Sequence, residues 1–203
     1  MGFRSTEKQI HQFFGRIIVV PNMIEEINNC IKNLKEGDLI FFPTDTGWSI
    51  GCDATNEDAV KKVYELTKRK NTYQLTCLMA NQAMLERHVV EVPDAAYDIM
   101  DLAEKPTTII FDKPQGIAKN LIAENNTLAI RVASDKFCQY LINKFRRPIV
   151  AVSINISGFP APDQSKEIHA EILKGVDYVV NLQLEKENHS PSSIIKLSYD
   201  GLV

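Results

Sequence analysis

Across its 203 residues, the sequence has no apolar run approaching the ~18 residues that a transmembrane helix requires. Residues 1–20 lack the order of positive charge, apolar core and small-residue cleavage site that marks a signal peptide. We therefore expect a cytoplasmic protein without a membrane segment. The composition, 44% hydrophobic and 24% charged, is ordinary for a globular chain, and the length allows one sizeable core.

The sequence also lacks the motifs of several enzyme classes. Its four cysteines are far apart with no C-x-x-C pair, which argues against a zinc site or a thioredoxin-like centre and favours buried, reduced thiols. No G-x-x-x-x-G-K-[ST] or G-x-G-x-x-G loop is present, which excludes a P-loop kinase and a dinucleotide-dependent dehydrogenase. There is no H-E-x-x-H helix and no nucleophile elbow. Any nucleotide site must therefore be built from other elements.

The net charge of −3 argues against a protein that coats nucleic acid non-specifically, but one short region is strongly basic. The basic cluster consists of Lys61, Lys62, Lys68, Arg69 and Lys70. Such a cluster attracts the phosphates of a nucleotide or of RNA, because each cation releases counterions from them. It is equally typical of a solvated helix face. The sequence leaves both interpretations open.

Helical and strand-like patterns alternate along the chain. Apolar spacing predicts helices over 23–36, 57–68, 82–90, 94–103, 137–145 and 165–174, with a short helix between 114 and 126. Apolar runs predict strands over 38–43, 75–80, 107–111, 127–132, 149–153, 178–182 and 193–197. This alternation favours α/β layers. We expect residues 1–203 to form a single domain, with residues 1–21 as an N-terminal extension.

The stretch 38–54 gathers hydroxyl groups and a carboxylate. An apolar run ending at Phe42 predicts a buried strand, and Pro43 cannot extend a hydrogen-bond ladder. The Thr-Asp-Thr triplet at 44–46 should therefore lie at the strand's exit, followed by a second bend marked by Gly51. Open α/β sheets bind ligands at strand exits. This stretch is the best clue to function.

Two other segments also indicate a ligand. Ser153, Asn155 and Ser157 alternate at the end of a predicted strand, so three short polar side chains share one face. That face could contact an anion or belong to an ordinary polar turn. Arg131 lies within the apolar run 128–132. A buried arginine requires an anionic partner, either a carboxylate or phosphate ligand or an aspartate or glutamate of the same chain.

In combination, these segments resemble the YrdC-like family, the threonylcarbamoyl-AMP synthases of tRNA threonylcarbamoyladenosine modification. The family motifs have counterparts, in order, in Pro43–Thr46, Gly51–Ala54, Arg131–Val132, Ser153–Gly158 and Ser192–Ile195. No single motif is specific to the family, but five motifs in this order over ~170 residues are specific to it. The resemblance implies a twisted mixed α/β sheet with helices and a large concave face.

The resemblance further implies that L-threonine, bicarbonate and ATP react to give threonylcarbamoyl-AMP and pyrophosphate, with Mg²⁺ assisting and tRNA as the final acceptor. It assigns Thr44, Thr46, Arg131 and Ser192 to threonine binding, and Lys68, Lys70, Gln74, Ser153 and Asn155 to ATP binding. It assigns no protein nucleophile and no metal-ligating side chain. Acyl-phosphate chemistry depends mainly on positioning and charge neutralisation.

The chain departs from the family motifs at the expected site. Trp48 replaces a tyrosine, Ser49 replaces a glycine and Lys70 replaces an arginine. These departures resemble a divergent YciO-like branch. The alternative hypothesis is therefore a YrdC-fold protein that binds a nucleotide or double-stranded RNA without catalysing the reaction. The segment Lys68 to Lys70 together with Trp48 distinguishes the two hypotheses, because a tryptophan that fills the threonine slot would abolish activity.

Overall fold

The computed structural model describes residues 21–68, 75–153, 170–182 and 191–197. Its helices are α1 (Pro21–Glu36), α2 (Glu57–Thr67), α3 (Gln82–His88), α4 (Asp94–Leu102), α5 (Lys136–Phe145) and α6 (Ala170–Gly175), with a 3-10 turn at Lys119–Leu121. Its strands are β1 (Ile40–Thr44), β2 (Gly47–Asp53), β3 (Thr76–Met79), β4 (Thr107–Asp112), β5 (Thr127–Val132), β6 (Ile149–Ser153), β7 (Tyr178–Val179) and β8 (Ser193–Lys196). The predicted α/β class is confirmed.

The eight described strands form one mixed sheet in the order β7, β1, β2, β6, β3, β5, β4, β8. Three neighbouring pairs are parallel, namely β1 with β7, β3 with β5, and β4 with β8. The other pairs are antiparallel. Because β6 inserts between β2 and β3, segments far apart in sequence become neighbours at the centre of the sheet.

The sequence prediction is wrong for residues 47–53. They form strand β2, and Gly51 pairs with Ile40 inside it instead of marking a bend. Pro43 also continues β1, opposite Trp48. A hairpin alternates hydrogen-bonded and non-hydrogen-bonded pairs, so the nitrogen of Pro43 points away from β2. Among the described residues, β7 pairs only with the first two positions of β1, so proline interrupts no ladder there. The strand predicted over 178–182 is correspondingly short.

Gly51 has no room for a side chain. An added Cβ would lie 2.4 Å from Phe42 Cε1 and 2.5 Å from the carbonyl oxygen of Val150. The second contact involves backbone, so no side-chain rotation can relieve it. We expect Gly51→Ala to lower the free energy of unfolding by about 2–3 kcal/mol, measured by urea denaturation.

Gly175→Ala is the matched control for this prediction. The nearest atom to an added Cβ at Gly175 belongs to the flexible side chain of Leu66, at 2.2 Å. A side chain can move aside, so this variant should lose clearly less stability than Gly51→Ala. Equal losses of stability in the two variants would show that the close approach of the Val150 carbonyl on β6 is not what requires glycine at position 51.

The cysteines are core residues. Cys30, Cys52, Cys77 and Cys138 are all buried and free, as the sequence predicts. Burial, with a smaller contribution from the charge of Glu26, raises the pKa of Cys30 to about 12. A thiol with that pKa stays protonated at neutral pH and acts as a small apolar side chain.

Within the described ranges, no helix is both long and apolar enough to span a bilayer.

Candidate active site

The turn between β1 and β2 gathers buried hydroxyl groups. Thr44 Oγ1 donates to the Gly47 carbonyl at 2.7 Å, accepts from the Thr46 backbone N–H at 3.2 Å and lies 3.2 Å from Thr46 Oγ1. Ser49 Oγ lies 3.5 Å from Thr44 Oγ1. Gly47 has φ of 110°, a conformation that favours glycine as the chain reverses. The hydroxyls therefore brace a tight hairpin turn.

One face of the sheet carries these hydroxyls together with Ser153. Ser49 and Ser153 are direct partners across the β2 and β6 pair, so their side chains leave the sheet on the same side. Gly51 and Ala151 are partners two residues further along and share that side. Thr44 contacts Ser49 at the end of the strand. We call Thr44, Ser49 and Ser153 the hydroxyl face; Phe42, the partner of Ser49 on β1, lies on the same side with its ring against Gly51.

Trp48 points to the opposite side of the sheet. Adjacent residues of a strand alternate between faces, so the side chains of Trp48 and Ser49 diverge. The indole ring stacks on Phe41 with ring centroids 4.8 Å apart and an angle of 20° between the planes. Trp48 is partly buried against the hydrophobic core. The tryptophan therefore does not occupy the hydroxyl face.

Arg131 and Asp45 form a buried ion pair. Arg131 Nη2 lies 3.0 Å from Asp45 Oδ1, and the two side chains are only 4% and 6% exposed. Ser134 holds the other oxygen of Asp45, because its hydroxyl donates to Oδ2 at 2.9 Å and its backbone N–H donates at 3.3 Å. Arg131 thus has the internal partner that the sequence left open as an alternative. Its Nε, however, is buried and has no hydrogen-bond partner in the described part of the chain.

Asp135 is the third charged residue here. It caps α5, where its Oδ1 accepts from the Cys138 N–H at 2.8 Å. Its Oδ2 is buried and makes no hydrogen bond to any described residue. The contact of Asp45 Oδ1 with Arg131 lacks hydrogen-bond geometry, so that oxygen is likewise unsatisfied within the described ranges. We call Asp45, Arg131 and Asp135 the charged cluster.

Burial raises the pKa of Asp135, and the charge of Asp45 adds to the rise, whereas hydrogen bonds from Cys138 and from the backbone of Asp45 partly oppose it. The ionised form of Asp135 is therefore less favourable in the folded protein than in the unfolded chain. The stability that its neutral form provides is complete below the unfolded pKa of about 4 and is lost as pH rises through the higher folded pKa.

Asp135→Asn tests this pH dependence. Asparagine caps helices as well as aspartate does, so the cap should persist. We expect the variant to be more stable than the parent at pH 7, because it has no charge to bury. The advantage should shrink as the pH is lowered toward about 4. Urea denaturation at both pH values measures it, and a constant difference would contradict the assignment.

Ser192 joins the site through Thr108. Thr108 Oγ1 donates to Ser192 Oγ at 2.9 Å, and Thr108 is buried. Thr108 precedes Ile109, which pairs with Ile130 on the strand that carries Arg131. In this antiparallel pair Thr108 therefore lies opposite Arg131. Of the four residues that the resemblance assigns to threonine, Thr44 and Thr46 flank Asp45, the ion-pair partner of Arg131, and Ser192 contacts Thr108 on the strand beside Arg131.

The residues assigned to ATP are only partly described. Lys70, Gln74 and Asn155 lie outside the described ranges. Lys68 ends α2 with a left-handed backbone, at φ of 52°. Ser153 lies at the end of β6, on the hydroxyl face.

The basic cluster divides into parts with different roles. Lys61 lies 3.9 Å from Glu65 one helical turn along α2. Lys62 Nζ donates to the Gly37 carbonyl at 2.9 Å and therefore ties α2 to the end of α1. These two lysines fit the interpretation of a helix face rather than a phosphate site. Arg69 lies outside the described residues.

Sequence reasoning missed three contributors to the site, namely Ser134, Asp135 and Thr108. Asp135 did carry a usable signal, because an aspartate directly before an apolar helical pattern is a typical N-cap. No local pattern pointed to Ser134 or Thr108, because their partners Asp45 and Ser192 are distant in sequence.

The mixed sheet, its hydroxyl face and the charged cluster define an α/β protein with a polar site built on the sheet. The family model for Sua5, YciO and YrdC proteins, described as telomere recombination, matches residues 32–202. The chain belongs to the Sua5/YciO/YrdC family, and the family predicted from the motifs is confirmed.

Relatives support this membership in sequence and in structure. A Methanocaldococcus jannaschii protein, provisionally named a threonylcarbamoyl-AMP synthase, is 32% identical over 85% of this chain and 80% of its own length. The threonylcarbamoyl-AMP synthase of Pyrococcus abyssi is 29% identical over 81% of this chain, which spans 49% of that protein.

Solved structures share the fold. Pyrococcus abyssi Sua5 complexed with L-threonine aligns with a TM-score of 0.76 and 27% identity, over 84% of this chain and 50% of that one. Escherichia coli YciO aligns with a TM-score of 0.75 over 86% of this chain and 84% of its own, at 20% identity. The predicted YrdC-like fold is confirmed.

Proposed function

We propose that this chain is an L-threonylcarbamoyladenylate synthase, which converts L-threonine, bicarbonate and ATP into threonylcarbamoyl-AMP and pyrophosphate for tRNA threonylcarbamoyladenosine modification. The observation that carries the proposal is the buried Arg131, whose Nε has no partner among the described residues, in a site built on the hydroxyl face. Relatives from Pyrococcus abyssi and Bacillus subtilis bear the synthase name, and one Sua5 structure is a complex with L-threonine.

In this proposal Arg131 pairs with the threonine carboxylate, because a charged donor in a buried site binds a carboxylate strongly. Thr44, Thr46 and Ser192 shape the remainder of the amino-acid site. Threonine first becomes a carbamate, and a carbamate oxygen then attacks the α-phosphorus of ATP and releases pyrophosphate. No covalent enzyme intermediate is needed.

The nucleotide side of the proposal uses the residues from the family motifs. Lys68 and Lys70 neutralise phosphate charge, and Gln74, Ser153 and Asn155 contact the rest of ATP. Mg²⁺ enters with the ATP phosphates, because it binds through substrate phosphates and water more readily than in an all-protein cage. Neutralising the departing pyrophosphate is the main electrostatic requirement of this step.

Two of the three departures from the family motif, Trp48 and Ser49, are compatible with catalysis; the third, Lys70, lies outside the described residues. Trp48 stacks on Phe41 on the far side of the sheet, so it leaves the threonine slot open. Ser49 replaces a glycine yet is fully buried and adds only one hydroxyl beside Thr44. These positions favour the synthase over the alternative of a YciO-like protein that binds a nucleotide or double-stranded RNA.

Pyrophosphate release tests the proposal. The protein is incubated with labelled ATP, Mg²⁺, bicarbonate and L-threonine, and then with each of the last two omitted in turn. We expect pyrophosphate only when threonine and bicarbonate are both present. Absence of release at millimolar threonine and ATP would overturn the synthase assignment. Binding of double-stranded RNA without turnover would then favour the YciO-like alternative.

The single domain over 1–203 and the cytoplasmic location remain predictions.

A further inference from the structure

The charged cluster holds three buried polar atoms that make no hydrogen bond to the described residues. They are Asp45 Oδ1, Asp135 Oδ2 and Arg131 Nε, two acceptors and one donor. Asp45 Oδ1 still forms an ion pair with Arg131 Nη2 at 3.0 Å, so Arg131 Nε and Asp135 Oδ2 are the two atoms that require a cause, because buried polar atoms are almost always paired. The cluster is not merely acidic, because Arg131 is more than nine-tenths buried and carries a free donor of its own.

The arrangement matches the two charges of an α-amino acid. A guanidinium N–H is a donor for a carboxylate, and carboxylate oxygens are acceptors for an ammonium group. With all three side chains ionised, the cluster carries one net negative charge, which an added ammonium would offset. Ser134 is exposed and Asp135 is half-buried, so the cluster can be reached from that side.

We propose that Asp135 and Asp45 bind the α-ammonium group of the amino acid whose carboxylate is bound by Arg131. The identity of that amino acid as threonine rests on the function proposed above. The assignment gives Asp135, a residue outside the family motifs of this sequence, direct contact with the substrate. It also explains why a carboxylate is placed against Asp45, where like charges oppose each other.

A consequence concerns carbamate formation. An ammonium nitrogen has no lone pair, so it must lose a proton before it can attack carbon. Asp135 accepts that proton, so an N–H bond breaks and a carboxyl O–H bond forms. The amine lone pair then attacks bicarbonate, giving the carbamate and water. The raised pKa of Asp135 favours this transfer, because a carboxylate with a higher pKa is a stronger base.

The test compares two ligands by calorimetry in the absence of ATP. L-threonine carries the ammonium group, and 2,3-dihydroxybutanoate replaces it with a hydroxyl. We expect Asp135→Asn to weaken L-threonine binding about 10- to 100-fold, as expected for loss of a hydrogen bond to a charged group, and to change binding of the hydroxy acid less than about twofold. Equal weakening of both ligands, or of neither, would overturn the inference.

Asp94→Asn is the matched control. Asp94 is an exposed aspartate in the first turn of α4, so the variant also removes one negative charge near a helix N-terminus. It should leave both affinities unchanged. Thermal melting shows whether each variant is folded before binding is measured.

The inference and the proposed function fail separately. If the parent protein releases pyrophosphate but Asp135→Asn binds threonine normally, only the inference falls. If no pyrophosphate appears but L-serine or glycine binds in a manner that depends on Asp135, the inference stands and the synthase assignment falls. If none of L-threonine, L-serine and glycine binds, the inference falls regardless of the pyrophosphate result.

Discussion

Asp45→Ala is expected to lower the free energy of unfolding by about 3–5 kcal/mol, because it breaks the buried ion pair between Asp45 and Arg131 and leaves the guanidinium without that partner. The two side chains are 6% and 4% exposed, so water cannot replace the lost partner without opening the structure. Ser134, which donates its N–H and hydroxyl to Asp45, is neutral and so cannot replace the lost negative charge beside the guanidinium. Urea denaturation at pH 7 measures the change.

The double variant Asp45→Leu with Arg131→Met tests whether the buried charge left by Asp45→Ala causes the loss of stability. It removes both charges and fills their space with apolar groups, so it should be clearly more stable than Asp45→Ala. The exposed pair of Lys61 and Glu65 provides the surface control, and Glu65→Ala should cost less than about 0.5 kcal/mol. A double variant as unstable as the sum of the single variants would show that the two charges do not interact.

Arg131→Lys is expected to weaken L-threonine binding about 10- to 100-fold while preserving most of the stability. Lysine keeps a positive charge beside Asp45, but it has no Nε and no planar fork for a carboxylate. The substitution should therefore reduce the affinity for L-threonine more than it reduces the stability of the protein. Calorimetric titration with L-threonine and a urea denaturation curve on the same preparation separate the two effects.

Arg147→Lys controls for the arginine-to-lysine change itself. Arg147 Nη1 lies 2.8 Å from the buried carboxylate of Asp53, and Arg147 is 55% exposed. This variant should leave threonine affinity unchanged. If Arg131→Lys also leaves it unchanged while lowering stability, Arg131 serves only the internal ion pair, and the carboxylate assignment is wrong.

The sequence predicted most elements because their patterns are local. Apolar residues at helical spacing located α1 to α5, and continuous apolar runs located the central strands. Strand β2 was missed because Gly47, Ser49 and Gly51 have low strand propensity and interrupt its apolar positions. Its neighbours β1 and β6 bury those small residues, so packing rather than propensity makes this segment a strand.

The partner of Arg131 illustrates what local patterns cannot decide. Arg131 lies level with Leu78 and, through it, with Ile149 at the beginning of β6. The turn that holds Asp45 lies toward the other end of β6, with three strands between β1 and β5. In a flat sheet these residues would be far apart. The segment that follows β5 packs on the β1 turn, where Cys138 Sγ donates to the Pro43 carbonyl at 3.3 Å and Ser134 Oγ donates to Asp45 at 2.9 Å.

The sequence by itself determined the α/β class, the family and the chemical types present at the site, because motif order, periodicity and residue type are properties of the chain. The tertiary structure decided which face each side chain occupies and which charges meet. It turned Trp48 away from the hydroxyl face and placed Asp135 close to Asp45, the ion-pair partner of Arg131. The physical reason is that strand register and the packing of α5 and its preceding loop on the β1 turn, which join segments distant in sequence, set these contacts.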